Sequence, residues 1–500
     1  MSREPDLVRR SSMLLLPDAC RVIVRPFLPG HELPSQGISR ADAVVERLVA
    51  MPESDVEKTL AATLATFSDR HVDLRASFRE HYQLVAHRIP ASSAISSDRA
   101  ELIGAYLTHE YSIEAAALFN PSIAAHPDQS GLAPGELRFV MTARAVGEGH
   151  VSSLEFRTGT LAANDVVRLD EAPTMLTTGR MSQTSMSTQF LRDALDEDGD
   201  AVTAQSVLGR LPEQFTPQEL QDVLASIELD SPRGAGNDGL LERIRRMAAS
   251  SYELTFPRAS DLSARVIFPT TAAESHGIED ARLVRFGDQD GSIRYYATYT
   301  AFDGSNIAPH LLSTEDFETF SMRPQVGPAA KNKGMALFPR HIGGRFWSLS
   351  RWDRESLSVA TSRDALRWGD PVRVLRPIQP WEIIQVGGCS SPLETAQGWL
   401  VITHGVGPMR TYSLGAVLLD LGDPSIVLGA LTKPLMIPGP DEREGYVPNV
   451  LYSCGGLIHG ETLVLPYGCS DSSIRFAFID LPGLLARLCD PGASRPRPEA

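Results

Sequence analysis

The first of two hydrophobic patterns along the chain is helical. Between residues 38 and 118 apolar residues recur every three or four positions, as in "ADAVVERLVAMPESDVEKTLAATLATF". This spacing places one apolar stripe along a helix. The pattern continues through "AELIGAYLTHEYSIEAAALF" until Pro121 interrupts it. We therefore predict an N-terminal helical extension, residues 1–115, that packs against a larger body.

The second pattern, beyond residue 135, is that of β-strands. Strand–turn–strand units begin near residues 136, 292, 344, 397 and 460, each with an aromatic or β-branched run, a polar turn and a second run. Hairpin units that recur at a roughly constant interval are typical of a β-propeller. The sequence thus predicts a mainly β protein, with a five-bladed β-propeller over residues 116–487.

The long gap between the first two units predicts an insertion at residues 172–250. Its segment "TPQELQDVLASI" is amphipathic, and Thr216 and Glu219 have the spacing of a helix capping box. We expect this insertion to be helical. The acidic run at 196–200 lacks the ligand spacing of an EF-hand and is predicted to be a solvated loop. Residues 488–500 are predicted to be a flexible tail.

Composition and net charge argue against some classes of binding partner. The chain has 62 acidic and 47 basic residues, a formal net charge of -15, which argues against sustained binding to nucleic acid or to an anionic membrane. No apolar run reaches the roughly 18 residues that a membrane span requires. The five cysteines are scattered and form no CxxC pair, which argues against a disulfide framework and against a structural metal site. We expect a cytoplasmic protein.

Polar residues interrupt the apolar strands at positions that a propeller would bring to its central funnel. Such residues are costly in a core unless they pair or line a wet site. Three of these residues also have a purely structural explanation. Arg351 is then a strand residue on the surface, His404 a buried histidine whose hydrogen bonds are satisfied, and Lys333 a solvated side chain. Together, Lys333, Arg351 and His404 suggest a cluster of three cations that holds an oxyanion such as phosphate. The cluster faces carboxylates, one of which can donate a proton as a carboxylic acid. The candidates are Asn120, Arg144, Glu279, Asp280, Arg282, Lys333, Arg351, His404 and Asp471.

Ordered motifs in the same regions resemble those of glycoside hydrolase family 130, the β-mannoside phosphorylases and β-1,2-mannosidases. The resemblance covers about 115–160 and 265–487 and excludes the N-terminal helices and the insertion. The motifs are "FNPS", "GIEDARLVRF", "YYATYTAFDG", "NKGMALFPRHIGGRFWSLSR", "WEIIQVGGCSSPLETAQGWLVITHGVG", "YSLGAVLLDLGDPSIVLGALTKPLMIP" and "EREGYVPNVLYSCGGLIHGETLVLPYGCSD".

The resemblance implies a five-bladed β-propeller and a single general acid, at the position of Asp280. It implies that the proton reaches the glycosidic oxygen through the 3-hydroxyl of the sugar, while phosphate attacks the anomeric carbon with inversion and gives α-mannose 1-phosphate. Inorganic phosphate is then a co-substrate and no cofactor is needed. A β-mannoside oligosaccharide is the expected substrate, and a homo-oligomer remains open.

The resemblance also assigns roles to the other candidates. Lys333, Arg351 and His404 match the phosphate ligands, although some members carry Arg where this chain has Lys333. Arg282 either orients Asp280 or is structural. The residues implied to contact the mannosyl group or its surroundings are Asn120, Arg144, Asp471 and Arg282.

Other functions remain open at the level of sequence. An inverting β-1,2-mannosidase would use Glu279, Glu382 or Glu394 as a base in place of the cationic set. A non-catalytic sugar-binding propeller would have lost the acid, which Asp280 retains. A transferase that uses a nucleotide sugar would need a phosphate-binding glycine loop, which is not evident. A purely structural scaffold, in which the helical segments bind a partner, would leave unexplained why the charged residues converge on one place.

Overall fold

The computed structural model describes residues 7–30, 39–89, 94–196, 201–230 and 238–490. Most of the acidic run and the end of the predicted tail, 197–200 and 491–500, lie outside the described residues. The chain forms two compact units. The larger consists of residues 1–17, 116–171 and 179–500, and the smaller of residues 18–115 and 172–178.

The described N-terminal region contains both strands and helices. It consists of β1 (Val8–Leu15), β2 (Val22–Pro26), α1 (Arg40–Val49), α2 (Glu53–Phe67), α3 (Leu74–Ala86), α4 (Ser97–Tyr106) and β3 (Thr108–Ser112). The helices share a hydrophobic cluster built around Val56, Phe78 and Ile103. Strand β1 instead pairs with the last strand of the chain, so residues 1–17 belong to the larger compact unit and not to the predicted extension.

The helical prediction is wrong for residues 107–118. Helix α4 ends at Tyr106, and β3 then pairs antiparallel with β2. The next strand begins at Ala117 and carries Pro121 within it. Thr108 and Tyr111 favour extended backbone, and a short apolar run does not by itself distinguish a helix from a buried strand.

The larger compact unit is mainly β, as predicted. Its described residues contain five antiparallel meanders, with hairpins that begin at Leu137, Ile293, Phe346, Gly398 and Thr462, close to the predicted starts. Meander 1 consists of β4 (Ala117–Ala125), β5 (Leu137–Val146), β6 (Ser152–Leu161) and β7 (Val167–Leu169).

The insertion follows meander 1. It consists of β8 (Thr177–Thr178), β9 (Arg180–Gln183), β10 (Met186–Ser187), α5 (Thr188–Asp196), α6 (Ala201–Leu208), β11 (Gln214–Phe215), α7 (Pro217–Asp230), α8 (Asp238–Ala249) and β12 (Tyr252–Thr255). The predicted capping box is confirmed, because the Thr216 amide donates to Glu219 and the Glu219 amide donates to Thr216 Oγ1. The four helices among these described residues enclose a hydrophobic cluster of their own, which includes Leu191 and Ile244.

The remaining meanders follow in chain order. After β13 (Arg265–Ile267), meander 2 is β14 (Gly277–Gly287), β15 (Ile293–Phe302), β16 (Ile307–Thr314) and β17 (Thr319–Pro324); meander 3 is β18 (Ala336–Leu337), β19 (Phe346–Ser350), β20 (Leu357–Ser362) and β21 (Val372–Leu375); meander 4 is β22 (Gln385–Gly388), β23 (Leu393–Thr395), β24 (Gly398–Val406), β25 (Tyr412–Leu419) and β26 (Val427–Ala430); meander 5 is β27 (Leu451–Tyr452), β28 (Leu457–His459), β29 (Thr462–Cys469) and β30 (Ser473–Asp480). Helix α9 (Leu481–Cys489) ends the described chain.

Hydrophobic clusters join the meanders into a closed series. One cluster joins meanders 1 and 2, and others join 2 to 3, 3 to 4 and 4 to 5. A fifth cluster, with Phe139 from meander 1 and Phe476 from meander 5, joins the last meander to the first. The apolar faces of the strands therefore pack between neighbouring meanders, and polar residues lie at the ends of strands.

Candidate active site

Two candidate side chains project from irregular points of their strands. The register of β4 shifts between Phe119 and Ser122, and that of β14 shifts between Glu279 and Arg282. Each shift contains one residue with left-handed backbone, Asn120 at φ 49° and Asp280 at φ 55°. Asn and Asp adopt this conformation more readily than most residues. An acidic residue is unfavourable at the entrance of a regular strand. The bulge explains why Asp280 is found there, because a bulge redirects the side chain out of the regular strand pattern.

Asp280 lies in a dense set of donors. Its Oδ1 accepts from Asn120 Nδ2 at 2.7 Å and from Arg144 Nη1 at 3.3 Å. Desolvation raises the pKa of the carboxyl, but the charges of Arg144, Lys333 and Arg282 outweigh it and lower the pKa to about 2. Without a bound anion, Asp280 is therefore a carboxylate.

Glu279 bridges two cations beside Asp280. Its Oε1 accepts from Arg144 Nη2 at 2.7 Å, and its Oε2 accepts from Lys333 Nζ. The residue is 5% exposed. Because both carboxylate oxygens accept from a cation, Glu279 orients Arg144 and Lys333 rather than presenting a free base.

Arg282 lies beneath the bulge and does not line the cavity. Its guanidinium donates to the backbone carbonyls of Asp280 and Cys389, at 3.0 and 2.9 Å, and to the Tyr452 hydroxyl at 2.9 Å. The residue is 1% exposed. Of the two roles left open from sequence, orienting Asp280 or a structural role, this geometry favours orienting Asp280 through its backbone. The expected place of Arg282 among the residues around the sugar is not supported, because Arg282 is absent from the cavity lining.

Arg351 and His404 contact each other. Arg351 Nη1 lies 3.0 Å from His404 Nε2, and Gln385 Nε2 lies 3.3 Å from the same nitrogen. Burial and the nearby guanidinium groups of Arg351 and Arg282 lower the pKa of His404 well below its ordinary value. The expectation of three cations is therefore wrong in one respect: His404 is a neutral imidazole, because its surroundings disfavour a further positive charge.

Asp471 supplies a second carboxyl from the turn between β29 and β30, with φ 49°. Burial and the charge of Asp280 raise its pKa to about 7, although Arg144 and Arg410 act in the opposite direction. The two aspartates therefore differ in protonation near neutral pH. Asp471 is able to donate as well as accept hydrogen bonds to a sugar hydroxyl.

The raised pKa of Asp471 predicts a pH-dependent effect on stability. Between pH 3.8, the ordinary value, and pH 7 the folded chain binds the extra proton, so this group makes the wild type less stable as pH rises. We expect Asp471→Asn to gain stability relative to wild type across that window, by up to about 1.4 kcal/mol per pH unit, and to level off above it. Denaturant unfolding at several pH values measures the difference. Asp370→Asn, at an exposed position, is the control; a flat difference for Asp471→Asn would contradict the shift.

Most of these side chains line one cavity of about 220 Å³. Every meander contributes to it. The lining consists of Asn120, Arg144, Asp280, Lys333, Arg351, Gln385, His404, Arg410, Tyr412, Val447, Val450, Tyr452 and Asp471. Of the nine candidates from sequence, the cavity brings together seven, while Glu279 and Arg282 support it from behind.

The cavity is locally cationic in an acidic chain. Its lining has four cationic side chains, Arg144, Lys333, Arg351 and Arg410, and two aspartates, a formal balance of 4 − 2 = +2. Three buried atoms of lining residues have no hydrogen-bond partner among the described residues: Asn120 Oδ1, Arg144 Nε and Arg351 Nε. Buried polar groups without partners are rare in folded proteins, and their concentration in one cavity suits a polar ligand.

Sequence reasoning missed Arg410, Gln385 and the two tyrosines. Arg410 ends a hairpin tip in which Met409 and Arg410 are both left-handed, at φ 56° and 54°. The tip between β5 and β6 repeats this geometry at Gly149 and His150. Both tips share a sequence pattern in which a basic residue follows a glycine by three positions, as in "GEGH" and "GPMR". This pattern is the sequence signal that could have identified Arg410.

Other residues named from sequence lie outside the cavity lining. Glu382 is fully buried and accepts from the backbone amides of Ile378 and Gln379. Glu394 pairs with Arg340 on an exposed surface. Tyr446, which lies within the quoted motif that begins "EREGYVPNV", contacts His150 through its hydroxyl at 2.7 Å. Glu382 and Glu394 are thus not placed to act as bases.

Two features bear on other kinds of site. Within the described ranges, no group of three or more His, Cys, Asp or Glu side chains is arranged to hold a metal ion. Over the same part of the chain, no helix has both the length and the apolar character needed to cross a bilayer.

Comparison with known proteins gives consistent matches. The sequence profile of glycoside hydrolase family 130, described as β-1,4-mannooligosaccharide phosphorylase, matches residues 257–488. A β-1,2-mannobiose phosphorylase of Listeria innocua is 34% identical over 216 residues, which cover 42% of this chain and 59% of that protein. A 1,2-β-oligomannan phosphorylase of Thermoanaerobacter is 35% identical over 241 residues, which cover 47% of this chain and 77% of that protein.

A solved structure also aligns with the chain. The Listeria innocua β-1,2-mannobiose phosphorylase, in complex with β-1,2-mannobiose, aligns over 75% of this chain and 92% of its own, at 20% identity and a TM-score of 0.45. The sequence matches carry the assignment. The chain belongs to glycoside hydrolase family 130.

Proposed function

We propose that this chain is an inverting β-mannoside phosphorylase, which cleaves β-mannosides with inorganic phosphate and releases α-mannose 1-phosphate. The observation that carries the proposal is the cavity, in which Asp280 faces Arg144, Lys333, Arg351 and Arg410. Such a site suits an anionic co-substrate next to a proton donor. The related phosphorylases named above support the same reaction and a mannoside substrate.

In the proposed reaction the carbon–oxygen bond at the anomeric centre breaks as a bond to a phosphate oxygen forms on the opposite face. Asp280 supplies the proton that the leaving oxygen takes up, relayed by the 3-hydroxyl of the mannosyl group. Asn120, Arg144 and Asp471 hold that group. Lys333, Arg351 and His404 hold the phosphate, whose own charge makes a second carboxylate base unnecessary.

The low pKa of free Asp280 fits this scheme once phosphate binds. The cations that stabilise the carboxylate include Lys333, which is also a proposed phosphate ligand. A bound phosphate offsets their charge, and a bound sugar excludes water, and both effects raise the pKa of a carboxyl. Phosphate binding is therefore expected to load the general acid with its proton.

We also infer that the five meanders form a five-bladed β-propeller around this cavity. Support comes from the closed series of hydrophobic clusters and from the contribution of every meander to the lining. Strand β1 completes meander 5 by pairing with β30. Cytoplasmic location and a homo-oligomer stay predictions.

Hydrolysis is the second candidate. An inverting hydrolase needs a carboxylate base that activates water. Among the described residues, Asp471 is the other carboxyl that lines the cavity, and it would take this role. Its pKa of about 7 leaves about half of it deprotonated near neutral pH, which suits a general base. The cationic lining favours phosphorolysis.

Lys333→Ala tests the proposed anion site. We expect the apparent KM for phosphate to rise about tenfold or more, because one hydrogen bond to a charged group is lost, while the KM for the mannoside changes little. The measurement is initial rate against phosphate concentration with β-1,2- and β-1,4-mannobiose. Lys331→Ala, two residues away and exposed, is the matched control. An unchanged dependence on phosphate in Lys333→Ala would remove Lys333 from the site.

A further inference from the structure

The hydrogen bonds around His404 fix which of its nitrogens carries a proton. Nε2 lies 3.0 Å from Arg351 Nη1 and 3.3 Å from Gln385 Nε2. A guanidinium group is only ever a donor, so Nε2 must accept. The proton is then on Nδ1, which lies 3.7 Å from Cys389 Sγ. His404 therefore presents a bare acceptor nitrogen to the anion corner of the cavity.

Packing holds the ring in this orientation. His404 is 1% exposed and lies between Tyr412, at 6.0 Å between ring centroids, and Tyr452, at 4.9 Å. The charged groups that act on it are the cations Arg351 and Arg282 and, more weakly and in the opposite direction, the carboxylate of Asp280. Rotation or protonation of the ring would place a donor against these donors, which is unfavourable.

A hydrogen-bond acceptor in an anion site restricts which anions bind there favourably. Arg351, Lys333 and Arg410 donate to any oxyanion, whatever its protonation. Nε2 of His404 makes a favourable contact only with an oxygen that still carries a hydrogen. Inorganic phosphate and arsenate keep at least one O–H near neutral pH, whereas sulfate has none.

We propose that His404 makes the anion site selective for protonated oxyanions, so that phosphate and arsenate bind and sulfate is discriminated against. This inference rests on the function proposed above for the location of the anion. The phosphate O–H donates to Nε2, and Arg351 turns from Nε2 to a phosphate oxygen. With sulfate, two acceptors face each other in a buried place, which leaves both unpaired.

The alternative role of His404 is only to orient Arg351. In that case the ring does not contact the anion, and phosphate and sulfate, which have similar size and shape, bind alike. The ratio of the two affinities therefore separates a ring that selects the anion from one that merely positions a cation.

The test is calorimetric titration of the wild-type chain with phosphate, arsenate and sulfate, together with competition by sulfate in the phosphorolysis assay. We expect arsenate to bind with an affinity close to that of phosphate, and sulfate to bind at least about tenfold more weakly, which corresponds to ~1.4 kcal/mol. Equal affinities for sulfate and phosphate would overturn the proposal. Because calorimetry needs no turnover, selective binding without phosphate-dependent cleavage would count against the proposed function and not against the selectivity.

Two variants sharpen the comparison. His404→Phe keeps an aromatic ring against Tyr412 and Tyr452 but removes the acceptor, and we expect the phosphate-to-sulfate affinity ratio to fall to about one. Gln385→Ala removes a donor to Nε2 and leaves the acceptor, and we expect it to keep the ratio. A ratio in His404→Phe equal to that of wild type would contradict the proposal, as would binding of none of the three anions by the wild type.

Discussion

Asp280→Asn is expected to abolish most phosphorolysis, with a loss of about 10²–10⁴-fold in kcat, the range that a general acid contributes. The amide keeps an oxygen in the place of Oδ1, which accepts from Asn120 and Arg144. Asn is also favoured at the left-handed backbone of position 280. The variant thus keeps the local geometry and loses the acidic proton.

The rate of α-mannose 1-phosphate formation from a β-mannobiose measures this loss. Asp288→Asn, on the turn between β14 and β15, is the control and should keep the wild-type rate. A thermal melt close to that of wild type would show that the Asp280 variant is folded. Turnover near the wild-type rate in that folded variant would refute Asp280 as the acid.

The second large effect is on stability. Arg144 contacts both Glu279 and Asp280, and its side chain is 17% exposed against 7% and 12% for the two carboxylates. We expect Arg144→Ala to lower the free energy of unfolding by about 3 kcal/mol, because it takes one cationic partner from each of two buried carboxylates. Lys333 remains beside Glu279 and limits the loss.

Denaturant unfolding of Arg144→Ala and Arg294→Ala compares a buried with an exposed arginine pair. Arg294 contacts Glu315 with 48% and 66% of the side chains exposed, and its loss should cost about 1 kcal/mol or less. Equal losses in the two variants would show that the pairs at the cavity are screened by water as surface pairs are, and would contradict the burial described for Glu279 and Asp280.

The sequence predicted which residues meet at the cavity better than it predicted their chemical state. Strand periodicity indicated the five hairpins, and polar residues at strand ends, such as Asp280, Arg351 and Asp471, then pointed to one place. The neutral state of His404 and the raised pKa of Asp471 were not predictable, because both depend on burial and on the positions of neighbouring charges.

Local backbone geometry explains most of the other differences between the sequence predictions and the structure. The bulges at Asn120 and Asp280 depend on pairing with neighbouring strands, which a single sequence does not specify. Arg410 reaches the cavity because two successive left-handed residues turn its hairpin tip. The apolar run before Pro121 was mistaken for helix because its length suits both structures.

Combined phosphorus and proton NMR of the products from a β-mannobiose tests directly whether one cavity joins a proton-donating aspartate to a phosphate site. We expect one α-mannose 1-phosphate for each glycosidic bond cleaved when phosphate is present, and no cleavage when phosphate is omitted. Free mannose released at the same rate with and without phosphate would contradict it.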